Sequence, residues 1–279
     1  MLKRQDSKMA APEPPPAEPV PEGEEVPEEE TEPQLPPPCM DLTGFPLKVD
    51  VFDAMHMLDD KQEKVEGAPN FRQVSGFPIF ASGQPTEEGF LKVLDKTKVG
   101  EDTPPRAIWF NMRKEPVIYV NGNPCTPRYP DDLHRNLEIQ FPVDELENLQ
   151  THYLKHLTQL KEEDANQSIK VHKDGAFAEN PMEREDIEET VKVESIKELK
   201  DVYEGLKENG FPNLIGQRCP VNEDRAPGEE CFDIMIELLR NEPASTPCIF
   251  SDQMGRGRTT LGMIIACLIK EIQITTELR

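Results

Sequence analysis

Apolar positions along this chain recur with two different periods, and the switches between them mark out its elements. Residues 74–80 form a short apolar stretch of strand character, closed by a turn at Ser82-Gly-Gln-Pro85. Thr86 stands where an N-cap is wanted, with Glu87 and Glu88 in the first turn, facing the positive end of a helix. Phe90, Leu91, Val93 and Leu94 then repeat at helical spacing. Residues 107–111 (AIWFN) predict a buried strand and residues 116–120 (PVIYV) a second, with Asn121-Gly122 as a hairpin turn. Residues 143–160 are amphipathic, Leu146, Leu149, Tyr153, Leu157 and Leu160 sharing one face. Residues 161–190 are acidic and weakly patterned and predict a loop-rich insert, with a short strand at 191–193. Ser195-x-x-Glu198 reads as a capping box that opens the next helix, and Gly210 and Pro212 end it. A strand at 214–221, a helix at 229–240, a strand at 247–250 and a largely apolar helix at 259–272 complete the chain. Strands alternating with helices predict an α/β fold around a mainly parallel central sheet flanked by helices.

Composition divides the chain in two. Residues 1–44 are rich in Pro and Glu and cannot bury enough surface to offset the entropy of ordering, so they are expected to form a disordered acidic tail ahead of a domain spanning 45–279. The formal net charge of −23 argues against nucleic acid as a general partner. The chain has no run of about 18 apolar residues, so a transmembrane segment is not expected. The first ten residues lack the apolar core of a secretory signal. Six cysteines, with no C-x-x-C pair, suit neither a zinc site nor a disulfide framework. Reduced core cysteines fit a cytoplasmic location. The five histidines form no recognisable metal-ligand set, and neither metal nor cofactor is expected.

The segment from Cys248 to Thr260, CIFSDQMGRGRTT, carries the chemistry. An apolar strand runs into a Gly-rich turn, then an Arg-Thr pair at a helix start. Successive backbone N–H groups in such a turn point at one spot, and the helix adds its positive end. The expected phosphate-binding set is Gln253, Met254, Gly255, Arg256, Gly257, Arg258 and Thr259, with the glycines supplying positive-φ turns and Arg258 a bidentate grip on phosphate oxygens. This is the spacing of a cysteine-phosphatase loop, C-x-x-x-x-x-R-[ST], with Asp252 in the nucleophile's place. No G-K-[ST] triplet supports a nucleotide-binding P-loop instead. Cys248 does not replace the nucleophile, because Met254 rather than an Arg lies six residues beyond it.

GAPNFRQVSGFPIFASGQPT (67–86), IWFNMRKEPVIYVNG (108–122), CTPR (125–128) and FSDQMGRGRTTLGM (250–263) resemble the paladin-like proteins. That family carries dual-specificity-type cysteine phosphatase domains related to the cysteine phytases that act on inositol phosphates, and the resemblance spans residues 50–272. It implies a tyrosine-phosphatase-like fold. It also implies that further helices would follow the loop helix, so the domain is expected to be C-terminally truncated. The family pattern F-S-C-Q-M-G-x-G-R-T is matched except at Asp252. Aligning 218–227 to the family's acid loop puts Glu223, with Asp224 beside it, in the general-acid position, where a buried carboxyl would protonate a leaving alkoxide. Arg72, Arg113, Lys114 and Glu115 fall in motif slots, and for each a structural ion pair is the plainer role.

Two readings stand open. One is a pseudophosphatase whose Asp252 accepts the loop N–H bonds itself and pairs with Arg258, binding a phosphorylated small molecule or phosphoprotein, or serving as a protein-interaction module with partners on the acidic tail. The other is an active protein-tyrosine, dual-specificity or inositol-phosphate phosphatase.

Overall fold

The structure is a computed structural model that describes residues 41–50, 64–97, 106–140, 142–175, 186–223 and 225–277. The strands are β1 (Leu47–Val49), β2 (Arg72–Gln73), β3 (Ile79–Gly83), β4 (Ala107–Arg113), β5 (Ile118–Val120), β6 (Asn123–Pro127), β7 (Ser168–Asp174), β8 (Asp186–Lys192), β9 (Ile196–Glu198), β10 (Leu214–Val221) and β11 (Cys248–Asp252). The helices are α1 (Glu87–Lys96), α2 (Val143–Glu163), α3 (Leu199–Glu208), α4 (Glu229–Leu239) and α5 (Gly257–Glu277).

One sheet has the order β10-β4-β11-β3-β2, parallel throughout except for β2 at its edge. The period-two alternation in β4 assigns its two faces. Ala107 and Trp109 point towards Phe90, Val93 and Leu94 of α1 and Val202, Tyr203 and Leu206 of α3. Ile108, Phe110 and Met112 point towards Met235 and Leu239 of α4 and Met263 and Ala266 of α5. All seven β4 residues are buried, which is why its first four read as one continuous apolar run, while the buried Asn111 and Arg113 at its end find polar partners. Trp109 donates to Ser251 Oγ at 2.9 Å, so its one polar atom is satisfied inside the core. Thr86 caps α1 as expected, accepting from the Gly89 N–H at 3.0 Å.

A second sheet, β8-β7-β1-β6-β5-β9, is antiparallel apart from the β1–β7 pair. α2 covers it with Leu146, Leu149, Tyr153 and Leu157, while Leu160 stays exposed, off the face assigned to it. The Asn121-Gly122 turn joins β5 to β6, both residues at positive φ, as an Asn-Gly hairpin requires.

Several expectations are corrected. Residues 74–80 are mostly connection, and the strand begins at Ile79 and runs through Ser82-Gly83. The segment expected as a loop-rich insert contains the end of α2 and the β7–β8 hairpin, whose register runs from Ser168↔Lys192 to Asp174↔Asp186. Ser195-x-x-Glu198 opens no helix. Ile196–Glu198 is drawn into extended form by pairing with β5, and α3 starts one residue later, with Asp201 accepting from the Glu198 N–H at 2.9 Å. By length and composition, Gly257–Thr276 is apolar enough to cross a membrane. Its inner residues Met263, Ile265 and Ala266 lie in the core, although Ile264, Leu268 and Ile272 are exposed.

Candidate functional site

The turn between β11 and α5 sits at the centre of the parallel sheet, at the carboxyl ends of its strands, where ligands of open α/β sheets bind. β11 delivers Asp252 to the base of the turn, 3% exposed. One carboxylate oxygen accepts from the backbone N–H groups of Met254 at 2.9 Å, Gly255 at 2.5 Å and Arg256 at 3.4 Å. The other accepts from the Thr259 N–H at 2.9 Å, in the first turn of α5. The anion sought by the converging N–H groups is thus the protein's own side chain. Charge-assisted bonds of this kind are about twice as strong as neutral ones.

Gly255 has φ +73°, and a Cβ there would lie 2.4 Å from the Gly83 nitrogen, so both conformation and packing demand glycine. Gly257, expected to make a similar turn, does not. It opens α5 with ordinary φ and free space beside it. Behind the loop, Asn70 donates to the Met254 carbonyl at 2.6 Å. Arg72 donates to the Gly255 carbonyl and to the hydroxyls of Thr259 and Thr260, the latter at 2.9 Å. Both residues belong to the NFR motif, whose role here is to brace the loop from outside.

Arg258 does not pair with Asp252, contrary to expectation. Its Nη1 donates to both oxygens of Glu115, at 2.9 and 3.1 Å, and to the Val221 carbonyl. Glu115 also accepts from Arg113 Nε at 3.2 Å, and Arg113 reaches Asp50 at 2.8 Å. Arg128 binds the other Asp50 oxygen, and Thr126 donates to Asp50 at 2.8 Å. Burial would by itself push the carboxyls of Asp50 and Glu115 up. Arg128 and Arg113 around Asp50, and Arg258 and Arg113 around Glu115, overcome that and hold both down to about 2. The MRKEP motif therefore supplies a buried ion chain that fixes Arg258 from behind.

Glu223 is exposed rather than buried, and it accepts from Asn136 Nδ2 at 2.5 Å. The same amide nitrogen donates to Gln253 Oε1 at 2.6 Å. Asn136 in turn accepts from Arg128, so one side chain joins Glu223, the turn after β11 and the buried ion chain. No motif signalled Asn136 in the sequence. Asp224 lies outside the described residues. Gln253, Arg258 and Thr259 are buried, Met254 is half-buried and Arg256 exposed. Glu115, His134, Arg135, Asn136, Glu223 and Arg225 line a cleft of about 440 Å³ beside the loop.

One cluster of metal-ligating types occurs among the described residues. His134, Asp174 and Asp186 converge, and the Lys48 ammonium fills the space, 2.6 Å from Asp174 and 2.8 Å from Asp186.

The PTP-like phytase family model, described by inositol hexakisphosphate, matches residues 110–270. Human paladin is 30% identical over 220 residues, which cover 73% of this chain and 25% of paladin. Paladin of Danio rerio is 29% identical over 241 residues, 81% of this chain and 27% of its own. The chain thus spans about a quarter of the length of these curated relatives. Among solved structures, the PTP-like myo-inositol phosphatase of Mitsuokella multacida, in complex with myo-inositol-(1,3,4,5)-tetrakisphosphate, superposes with TM-score 0.58 at 18% identity, over 81% of this chain and 37% of that one. A PTP-like phytase of Bdellovibrio bacteriovorus gives TM-score 0.50 at 17% identity, over 82% and 76%.

Proposed function

The chain belongs to the PTP-like phytase family, and on that premise we propose that it is a paladin-like pseudophosphatase, a phosphatase fold that binds rather than hydrolyses. The observation that carries this reading is the Asp252 carboxylate, which accepts four backbone N–H bonds where a substrate phosphate would take them. Both of its oxygens are engaged as acceptors, which lowers their nucleophilicity. A phosphate dianion brought to the same spot would meet a fixed negative charge. A carboxylate is also a far poorer nucleophile towards a phosphomonoester than a thiolate. Arg258, the second element of phosphate capture, already holds Glu115.

On this reading the domain is a cytoplasmic interaction module. Its partners are proteins, reached in part through the acidic residues 1–44, and it holds a phosphorylated small molecule or phosphoprotein only weakly at the cleft. The buried thiols of Cys125, Cys219, Cys231 and Cys248 support a reducing compartment.

The test is an assay of the full chain on inositol hexakisphosphate, a phosphoinositide and a phosphotyrosine peptide. The expected rate is no higher than that of Arg258→Ala. Turnover that disappears in Arg258→Ala would overturn the proposal and favour the active phosphatase. Asp252→Cys then reports on the scaffold: a gain of activity means that the nucleophile was all that was missing.

A further inference from the structure

Two thiols meet in the core between β10 and α4. Cys219 lies near the end of β10 and Cys231 in the first turn of α4, twelve positions further on. Their sulfurs are 2.9 Å apart, closer than two unbonded sulfurs ordinarily pack, and both residues are almost wholly buried. The Cys219 thiol also lies 3.2 Å from the Cys231 carbonyl. The segment they bracket is the one that carries Asn222, Glu223 and Arg225 into the cleft wall.

Cys231 differs from the other described cysteines, its partner Cys219 included, whose thiol is pushed up by its hydrogen bond with Cys231 and by burial. Burial pushes the Cys125 thiol up, Cys248 to about 11, and Cys267 up as well. Cys231 alone among them is held below the usual thiol range, because Cys219 hydrogen-bonds to it. Its place at a helix start favours a thiolate further.

We propose that Cys219 and Cys231 form a reversible redox site, a dithiol that a hydroperoxide converts to a disulfide and a small dithiol reductant restores. The Cys231 thiolate attacks the terminal peroxide oxygen, forming a sulfenic acid and, with hydrogen peroxide, releasing hydroxide, which takes up the thiol's proton to become water. The Cys219 sulfur then attacks the sulfenic sulfur, the S–S bond forms, and a second water leaves. Two thiols and one hydrogen peroxide give one disulfide and two waters. Closing from 2.9 Å to the bonded distance of about 2.05 Å needs a displacement of less than about 1 Å, so the two sulfurs join with little rearrangement once the peroxide has reached Cys231 through a local opening. The bond ties the end of β10 to the start of α4 and fixes the segment that presents Glu223 to Asn136.

The experiment treats the full chain with graded hydrogen peroxide, blocks free thiols, and maps cross-linked peptides by mass spectrometry without reduction. The expected product is a 219–231 link that dithiothreitol removes, together with a rise of about 5–10 °C in thermal midpoint. Cys219→Ser and Cys231→Ser should each abolish the link and the rise. Cys248→Ser and Cys267→Ser should keep both. Because a buried substitution can itself unsettle the core, slower amide exchange across 222–228 in the oxidised unmutated chain is the second readout. The inference fails if Cys219 and Cys231 are recovered as separate oxidised thiols, if either links to another cysteine, or if the link resists dithiothreitol in the folded chain. None of these outcomes depends on whether the cleft binds phosphate.

Discussion

Glu115 shows how one residue couples stability to pH in this protein. Its carboxylate and that of Asp50 are held at about 2, against ordinary values of 4.5 and 3.8. Both are depressed, so their contribution is fully present above about pH 4.5 and is lost as pH falls towards 2. Urea midpoints measured between pH 6 and pH 2.5 are expected to drop most steeply below pH 4.5. Glu115→Gln should be less stable at pH 6 by about 3 kcal/mol, because Arg113 and Arg258 lose their shared counter-charge inside the protein. Its profile should also be flatter in acid, and a variant curve parallel to that of the unchanged chain would contradict the assignment. Sequence reading found Glu115 as part of a motif but not as the partner of Arg258. The two are 143 positions apart, and nothing local ties them together.

At the scale of elements, α1 shows packing overruling propensity. Gly89 lies in its first turn, where alanine would ordinarily favour the helix by about 1 kcal/mol. A Cβ at this position would sit 2.0 Å from the Gly67 carbonyl oxygen, which is backbone and cannot swing aside. Gly89→Ala is therefore expected to destabilise by at least 2 kcal/mol, as an approximate figure, read from a chemical denaturation curve. A gain in stability would mean that the turn at Gly67 is free to move. β4, β10, β11 and their helices were legible because each carries its own signal, such as the apolar run at 107–110, the Thr86 cap and the Gly-rich turn after Asp252, whereas β3 was placed too early and β2 is only two residues long. Of the second sheet, only β5 and the Asn121-Gly122 turn were legible. β1 is three residues long, its partners β6 and β7 are remote, and β8 is mostly exposed and acidic, so no local periodicity marks it. The capping-box misreading has the same origin, since pairing with β5 decided the conformation of 196–198.

Across the whole molecule, Asp50 joins the two sheets. It follows β1 in the six-stranded sheet and grips Arg113 at the end of β4 in the five-stranded one, with no exposure to solvent. It also binds Arg128, just beyond β6. Asp50→Asn leaves buried Arg128 without its anion and Arg113 with Glu115 alone, and is expected to cost about 3–5 kcal/mol. If the junction makes the sheets fold together, calorimetry should show one transition in the unchanged chain, moved down but still single in the variant. Two separate transitions in the unchanged chain would show the sheets to be independent. The same network explains why the site was only half visible beforehand. Its loop is contiguous in sequence, whereas its support comes from Asp50, Arg113, Arg128 and Asn136, gathered by the fold.

The carboxylate at Asp252 is joined to the cradle it occupies by its own backbone. A diffusing anion acts at whatever concentration the surroundings provide, but a tethered one has a local concentration set by chain geometry, in the millimolar range or above even for a loose tether. Free phosphate competing for the same N–H groups would face an opponent that dilution does not weaken. Phosphate would displace the carboxylate only at concentrations that outweigh this fixed local one, so the balance at the loop has one side set by the chain and one by the surroundings.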